Sequence, residues 1–249
     1  MLPDLKNALY HAVNQNVPEV RIAVAFSGGV DSTILAKICR DLGKEVILLT
    51  VGFPGSHDIE FARHISSKIR MQHKLLEIDH DHFREDLQQV QHTINCENIS
   101  HIENCIAYFY ICKLAKQNNL NIVVSANGCD ELFCGYDEYR RKYSGGAGIM
   151  KLMDEKLANE SALMTEIACV AGRFGIAIRQ PFLSREFIEF AKAIPLAQKI
   201  KGPDDMIRKH ILRQTAIAIG VPKDSALKPK KALQYGSSIH KYFKKTKVA

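Results

Sequence analysis

A short run of small, polar and acidic residues offers the most specific chemistry in the chain. The run reads SGGVDS and begins at Ser27, directly after an apolar stretch. Gly28 and Gly29 let the backbone approach a phosphate closely, because neither carries a side chain. The hydroxyls of Ser27 and Ser32 can donate to phosphate oxygens, and Asp31 can hold a Mg²⁺ ion that bridges them. These residue types predict a site for the phosphates of a nucleotide.

The position of this run among the predicted elements supports the same interpretation. Residues 21–26 form a β-branched apolar run, and Ile34, Leu35 and Ile38 follow the glycines at helical spacing up to Gly43. In open parallel sheets, anions bind where strands end and helix N-termini expose N–H groups. An ordinary turn with a capping serine is the alternative for Ser-Gly-Gly alone. The chain has no Walker string, which argues against transfer of the γ-phosphate.

Strands and helices alternate along the first part of the chain. The spacing of apolar residues predicts strands at 21–26, 45–51, 74–78 and 122–125, and helices at 4–13, 32–42, 58–71 and 104–118. Such alternation is typical of an α/β fold, an open parallel sheet with helices on both faces.

Beyond about residue 148 the pattern predicts helices and no strong strand. The expected helices cover 148–172, 184–194 and 203–219, the last of them capped by Asp204 or Pro203. We expect a single domain over residues 1–249. Its parts are a leader helix in 1–18, a sheet core in 19–145, and a helical C-terminal extension in 146–249 that contributes to the site.

Four segments together resemble a known family. The full SGGVDS string after a buried strand resembles the PP-loop ATP pyrophosphatases, which split ATP between its α and β phosphates. The segments VGFPGS at Val51, SANGCDELFCGY at Ser125 and RQPFLS at Arg179 resemble the synthetase domain of glutamine-dependent asparagine synthetase, over about residues 20 to 240. This resemblance implies the fold shared with adenine nucleotide α-hydrolases, use of ATP and Mg²⁺, and release of AMP and pyrophosphate.

The resemblance also implies roles for particular residues. The family's motif Ser-Gly-Glu-Gly-Ala-Asp-Glu-Leu-Phe-Gly-Gly-Tyr places Asp130 on its second magnesium-binding aspartate, beside Asp31. The stretch at Lys228 looks like the family's Arg-x-Lys and places Lys230, or alternatively Lys231, on the pyrophosphate, where a cation lowers the barrier. The rest of the implied ATP site is Phe26, Val51, Ser125, Ala126 and Gly128.

The substrate pocket is where the chain departs from the family. The resemblance assigns Asn127, Glu131 and Tyr136 to this pocket. Asn127 stands where asparagine synthetase has a glutamate thought to deprotonate ammonium, and an amide cannot act as a base. Related β-lactam synthetases have a tyrosine there, so this position follows the acceptor chemistry. Glu166, on the following helix, is our candidate for the catalytic base, with an ion-paired helix residue as the alternative.

Bulk properties restrict the class of protein. Eight lysines and one acid lie in residues 223–249, so this tail accounts for the net charge of +7 and the body is neutral. Its simplest interpretation is a solvated tail, and the alternatives are an anion contact by one or two of these lysines and nucleic-acid binding. Seven cysteines without a CxxC pair predict reduced core thiols, although Cys129 and Cys134 raise sulfur transfer as an alternative. No apolar run is long enough to span a membrane and no secretion signal is present, so we expect a cytoplasmic protein.

These features together predict an ATP-dependent carbon–nitrogen ligase that adenylates a carboxylate and transfers the acyl group to ammonia or another amine. The first predicted strand begins at Arg21, which leaves no room for a glutaminase domain before it. We therefore expect the nitrogen to come from a separate glutaminase subunit, from free ammonia or from another amine. The sequence is also compatible with assembly into a homo-oligomer. The alternatives are a tRNA-modifying PP-loop enzyme, against which the neutral body argues, and a non-catalytic ATP-binding partner subunit.

Overall fold

A computed structural model describes residues 1–143, 146–229 and 232–248. Lys230 and Lys231, predicted to contact pyrophosphate, lie outside the described residues. The strands are β1 (Arg21–Ala25), β2 (Glu45–Gly52), β3 (Gln72–Glu77), β4 (Ile122–Val124) and β5 (Ala177–Arg179). The helices are α1 (Leu2–Asn16), α2 (Val30–Asp41), α3 (His57–Ile69), α4 (Phe83–Thr93), α5 (Ile99–Gln117), α6 (Cys129–Leu132), α7 (Asp137–Arg141), α8 (Gly146–Gly172), α9 (Arg185–Ala193), α10 (His210–Ala218), α11 (Lys223–Ala226), α12 (Leu233–Gly236) and α13 (Ile239–Val248).

The sheet is parallel throughout the described residues and has the strand order β3-β2-β1-β4-β5. Its central strands are apolar on both sides because helices cover both faces. Ile22 and Val24 of β1 belong to one apolar core, with α1, α2 and α10. Ala23 of the same strand belongs to a second core, with α5 and α13. The predicted α/β fold, an open parallel sheet with helices on both faces, is confirmed.

The strand order places a crevice at the centre of the sheet. From β1 the chain moves outward to β2 and β3, and it then returns to the other side of β1 through β4 and β5. The loops after β1 and β4 therefore leave the sheet in opposite directions. The carboxyl ends of such a pair are where open parallel sheets bind ligands.

Several predicted boundaries differ from the structure. The sequence predicts no strong strand beyond residue 148, and the structure has one short strand there, β5, which pairs with β4 through Ile122 and Ala177. This strand has only three residues, all half-buried, so no apolar run marks it. Helix α4 was also not predicted. Five of the seven cysteines are buried, whereas Cys96 is half-buried and Cys169 is exposed.

The predicted helix over 203–219 begins later than expected. Its first residue is His210, and the residues before it form turns. Arg208 and Lys209 have left-handed backbone angles, with φ of 51° and 55°. The carboxylate of Asp205 accepts the N–H groups of Ile207 and Arg208 at 3.1 and 3.0 Å, which stabilises this turn in place of a helix. The caps proposed at Asp204 and Pro203 were therefore wrong.

Among the described residues, every helix is too short or too polar to cross a membrane.

Candidate active site

A cavity of about 250 Å³ opens at the carboxyl ends of β1, β2 and β4. Its walls include most of the residues that the sequence predicts for the site: Phe26, Ser27, Gly29, Asp31, Ser32, Val51, Ser125, Ala126, Asn127, Asp130 and Tyr136. Gly28, Gly128 and Glu131 are not among the lining residues, although each is next in sequence to a residue that is. A volume of this order suits a small ligand that fills it closely.

The loop after β1 is shaped by glycine. Gly28 has a φ of +73°, and a Cβ atom there would lie 2.9 Å from the ring of Phe61, so any other residue would be strained. Gly29 caps α2, whose first N–H groups have no partner within the helix and face the cavity end of the loop. The Ser32 hydroxyl donates to the Gly29 carbonyl oxygen at 3.2 Å. This loop has the geometry of an anion-binding helix N-terminus.

A residue from the C-terminal part of the chain supports this loop. The buried hydroxyl of Ser225 donates to the carbonyl oxygen of Gly28 at 2.7 Å and lies 2.9 Å from the Thr33 hydroxyl. Thr33 in turn donates to the Gly29 carbonyl oxygen at 2.8 Å. These bonds satisfy the carbonyl oxygens of Gly28 and Gly29 and tie the loop to the C-terminal part of the chain.

Asp31 and Asp130 converge on one ammonium group. The Nζ atom of Lys209 lies 2.6 Å from Asp31 Oδ2 and 2.6 Å from Asp130 Oδ1, and the lysine side chain is only 2% exposed. Burial alone would lower the pKa of Lys209, but the carboxylates of Asp130 and Asp31 outweigh it and raise the pKa above its ordinary value. The lysine is therefore fully charged. Its charge allows two carboxylates to face each other at the base of the cavity.

A glycine provides the space for this cluster. A Cβ atom on Gly135 would lie 2.0 Å from Asp130 Oδ1 and 2.2 Å from Lys209 Cε. Contacts that short are excluded, so only glycine permits the aspartate and the lysine to approach here. The SANGCDELFCGY segment therefore supplies both the acid and the space beside it.

Lys209 is the main site residue that the sequence reasoning missed. It falls within the helix predicted over 203–219, and no motif in the sequence marks it as a site residue. The available signal was Asp205, because an aspartate often accepts the backbone N–H two residues later and forms an Asx turn, as it does here with Ile207. The left-handed turn at Arg208 and Lys209 directs the amine into the sheet crevice.

Two further buried carboxyl groups, those of Glu160 and Glu131, lie near the cavity. The amide of Asn127 donates to Glu160 Oε1 at 2.5 Å, and the Tyr108 hydroxyl donates to Asn127 Oδ1 at 2.7 Å. The Tyr136 hydroxyl donates to Glu131 Oε1 at 2.5 Å. Burial, together with the carboxylates of Glu160 and Asp130, raises the pKa of Glu131 to about 8. Glu160, which the sequence reasoning also missed, places a carboxyl group next to Asn127.

The structure places Glu166 apart from this cavity. Its Oε2 atom lies 3.0 Å from His101 Nδ1, and the glutamate is not among the cavity-lining residues. His101 does line the cavity, through its other face. Glu160 and Glu166 both belong to α8 but lie almost two turns apart, so only Glu160 reaches the pocket.

Arg213 organises the chain that leads to the lysine-rich segment. Its guanidinium donates to the carbonyl oxygens of Ala226 at 2.6 Å and Lys228 at 2.9 Å, and to that of Ile207 at 3.0 Å. These bonds tie the turn before Lys209 to the chain before Lys230. Lys228 and Ala232, on either side of the undescribed pair, both line the cavity.

The donor set at the base of the cavity fits a magnesium ion. Mg²⁺ in proteins is held by one or two carboxylates together with phosphate oxygens. Asp31 and Asp130 supply two carboxylates beside the predicted phosphate loop. The Oδ1 atom of Asp31 is buried and has no hydrogen-bond partner among the described residues, so it remains available as a ligand.

Together, the sheet and the loop at its switch point define a parallel α/β protein with an anion site beside a buried Asp–Lys–Asp cluster. The asparagine synthase family model matches residues 4–168 and 152–248. The chain therefore belongs to the asparagine synthase family.

Two curated relatives have moderate sequence identity to this chain. A putative glutamine-hydrolysing asparagine synthetase 1 of Methanocaldococcus jannaschii is 28% identical over 94% of this chain and 49% of its own length. Asparagine synthetase B of Escherichia coli is 24% identical over 85% of this chain and 41% of its own length. The chain thus spans about half the length, or less, of these relatives.

Two solved structures overlap weakly with the chain. The ammonia-dependent NAD synthetase of Campylobacter jejuni has a TM-score of 0.37 at 19% identity, covering 54% of this chain and 58% of its own. A predicted subunit of tRNA methyltransferase from Methanocaldococcus jannaschii has a TM-score of 0.40 at 15% identity, covering 86% and 94%. Both scores are too low to bear on function.

Proposed function

We propose that this protein is an ATP-dependent amide-forming synthetase. It adenylates a carboxylate, releases pyrophosphate and transfers the acyl group to ammonia or another amine. The observation that carries this proposal is the Asp31–Lys209–Asp130 cluster, which lies between an anion-binding loop and a pocket with a buried carboxyl group. Membership of the asparagine synthase family supports the same reaction class.

The cavity walls suggest how ATP is held. The phosphates lie along the N–H groups of Gly28 and Gly29 and the hydroxyls of Ser27 and Ser32, while Phe26, Val51, Ser125 and Ala126 flank the adenylate, with Gly128 shaping its loop. When bound to Asp31 and Asp130, Mg²⁺ would neutralise charge on the phosphate oxygens. Lys209 contributes a fixed positive charge at the same place, where negative charge grows as pyrophosphate leaves. Lys230 supplies a second cation there.

The second half-reaction needs a base, and Glu160 is the residue best placed to supply it. An attacking ammonium or amine must lose a proton before it becomes a nucleophile. Asn127 cannot accept that proton, but its amide holds the Glu160 carboxylate at 2.5 Å and so orients it. Glu166 has no direct role in this scheme, because it pairs with His101 and does not line the cavity. Glu131 and Tyr136 complete the acyl pocket.

The source of the nitrogen is a separate part of the proposal. Relatives that are named glutamine-hydrolysing synthetases are at least twice as long as the matched region. We propose that ammonia reaches this site from a glutaminase unit, or that a substrate amine takes its place. Both routes present a small nitrogen nucleophile to Glu160.

Pyrophosphate–ATP exchange tests the first half-reaction. The protein is incubated with ATP, Mg²⁺, labelled pyrophosphate and pooled amino acids, and amides formed on adding ammonium are measured by mass spectrometry. We expect exchange from the wild type and from Asp154→Ala, a surface acid paired with Lys192. Asp31→Ala should abolish exchange and Lys230→Ala should reduce it strongly.

Glu160→Gln separates the two half-reactions. This variant should retain exchange while amide formation falls by about 100-fold or more, the typical contribution of a general base. ATP binding without any exchange would instead favour a non-catalytic nucleotide-binding subunit. Exchange that survives in Asp31→Ala would refute the proposed mechanism.

A further inference from the structure

Three side chains outside the proposed reaction centre meet at one point. Cys96 lies in the segment between α4 and α5, His101 in the first turns of α5, and Glu166 on α8. One nitrogen, sulfur or oxygen atom from each lies within 4.8 Å of the others. His101 is buried, and the other two are half-buried.

The hydrogen bonds of His101 show what must lie between it and Glu166. Its Nε2 atom is 3.1 Å from the Asn159 side-chain oxygen, which can only accept a hydrogen bond, so Nε2 carries a proton and donates. Its Nδ1 atom faces Glu166 Oε2 at 3.0 Å, and a carboxylate also only accepts. Two lone pairs repel each other at this distance, so either a proton or a metal ion must lie between them.

The third group favours the metal ion. The Cys96 sulfur lies within 4.8 Å of the ligand atoms of both other residues, and it accepts the backbone N–H of Asn98 at 3.3 Å, which holds it in this position. A proton shared by histidine and glutamate needs no sulfur beside it, whereas a metal ion needs a third ligand. A ligating histidine usually donates its other ring N–H to an oxygen acceptor that orients the ring, and the side-chain oxygen of Asn159 can serve as that acceptor here.

We propose that Cys96, His101 and Glu166 form a Zn²⁺ site that joins the segment before α5 to α8. A set of one thiolate, one imidazole and one carboxylate matches the ligands of zinc and differs from the all-oxygen ligands of magnesium. The ion therefore does not compete with Mg²⁺ for Asp31 and Asp130. Three protein ligands leave a fourth position for water.

The metal site would hold in place the part of the cavity that contains Glu160. His101 and Asn159 both line the cavity, and Glu160 is the next residue after Asn159 on α8. A metal that fixes α5 against α8 thus fixes the helix that carries the proposed base. Its role is positioning, because neither Cys96 nor Glu166 lines the cavity.

Metal titration of the full chain tests this site. Protein stripped of metal is titrated with Co²⁺ and then with Zn²⁺. We expect one equivalent of Co²⁺ to produce a sulfur-to-metal charge-transfer absorption band, which Zn²⁺ then abolishes. Cys96→Ser should remove the band, and Glu166→Gln, which removes a direct ligand, should weaken Zn²⁺ binding by more than the roughly 10-fold to 100-fold typical of losing a residue that only supports a ligand. Cys169→Ser, which changes an exposed cysteine on the same helix, should leave both unchanged.

A second measurement needs no variant. Alkylation of the wild-type thiols by iodoacetamide is followed by mass spectrometry with and without Zn²⁺. Zn²⁺ should slow modification of Cys96 but not of Cys169. Absence of the cobalt band, or equal alkylation of Cys96 under both conditions, would overturn the proposal and leave a plain His101–Glu166 ion pair.

Discussion

Replacing Lys209 with methionine tests the central cluster most directly. Methionine has nearly the same length but no charge, so the substitution leaves Asp31 and Asp130 facing each other without the ammonium that lies 2.6 Å from both. Removing one partner from a buried ion pair costs about 3–5 kcal/mol. The two carboxylates are 20% and 15% exposed, so water compensates in part, and we expect a loss near the lower limit, about 3 kcal/mol.

Chemical denaturation measures this loss as a fall in the free energy of unfolding. In a chain of this size it corresponds to a melting temperature lower by roughly 6–12 °C. Mg²⁺ should restore part of the loss, because a divalent ion that binds the two carboxylates of the folded state stabilises it. The double variant Lys209→Met/Asp31→Asn should be more stable than Lys209→Met, since only one carboxylate then lacks its partner.

Lys192→Met is the matched control for Lys209→Met. Lys192 pairs with Asp154 on the surface, where the two side chains are 32% and 58% exposed. Such pairs contribute at most about 1 kcal/mol. If Lys209→Met is no less stable than Lys192→Met, and if Mg²⁺ has no effect on it, the reasoning about a shared cation site is refuted.

Two further predictions concern the same region. Gly135→Ala should lose about 1–3 kcal/mol of stability and most pyrophosphate exchange, because its Cβ would lie 2.0 Å from Asp130 Oδ1. Gly172→Ala is the control, since the space around Gly172 is open, and it should behave as wild type. Equal stabilities of the two variants in chemical denaturation would contradict this prediction. The pKa of Glu131 is raised to about 8 in the folded state. Between the pKa of the unfolded chain and pH 8, the folded state therefore binds more protons at Glu131 than the unfolded state does. The contribution of this residue to the free energy of unfolding consequently falls as the pH rises through that window. Glu131→Gln should therefore gain stability relative to wild type across that window, by at most about 1.4 kcal/mol per pH unit; a constant difference from pH 5 to 8 would show that Glu131 does not titrate there.

The local elements of this site can be predicted from the sequence. The glycine-bearing loop at Ser27 follows an apolar strand and precedes a helix, and each of these signals spans only a few neighbouring residues. The same is true of the acidic turn at Asp130. The parallel sheet also follows from the alternation of short apolar runs with helical spacing, because each run must be covered on both faces.

Only the tertiary structure brings Lys209 to Asp31, 178 residues away, and Glu160 to Asn127, 33 residues away. Lys209 depends on two left-handed residues held by Asp205, and β5 depends on pairing with β4, since its own three residues carry no apolar pattern. Local propensity extends over a few residues, whereas these contacts depend on the path of the whole chain. The sequence alone therefore determined which loops could bind a nucleotide, and the packing of distant segments decided which charges those loops would meet.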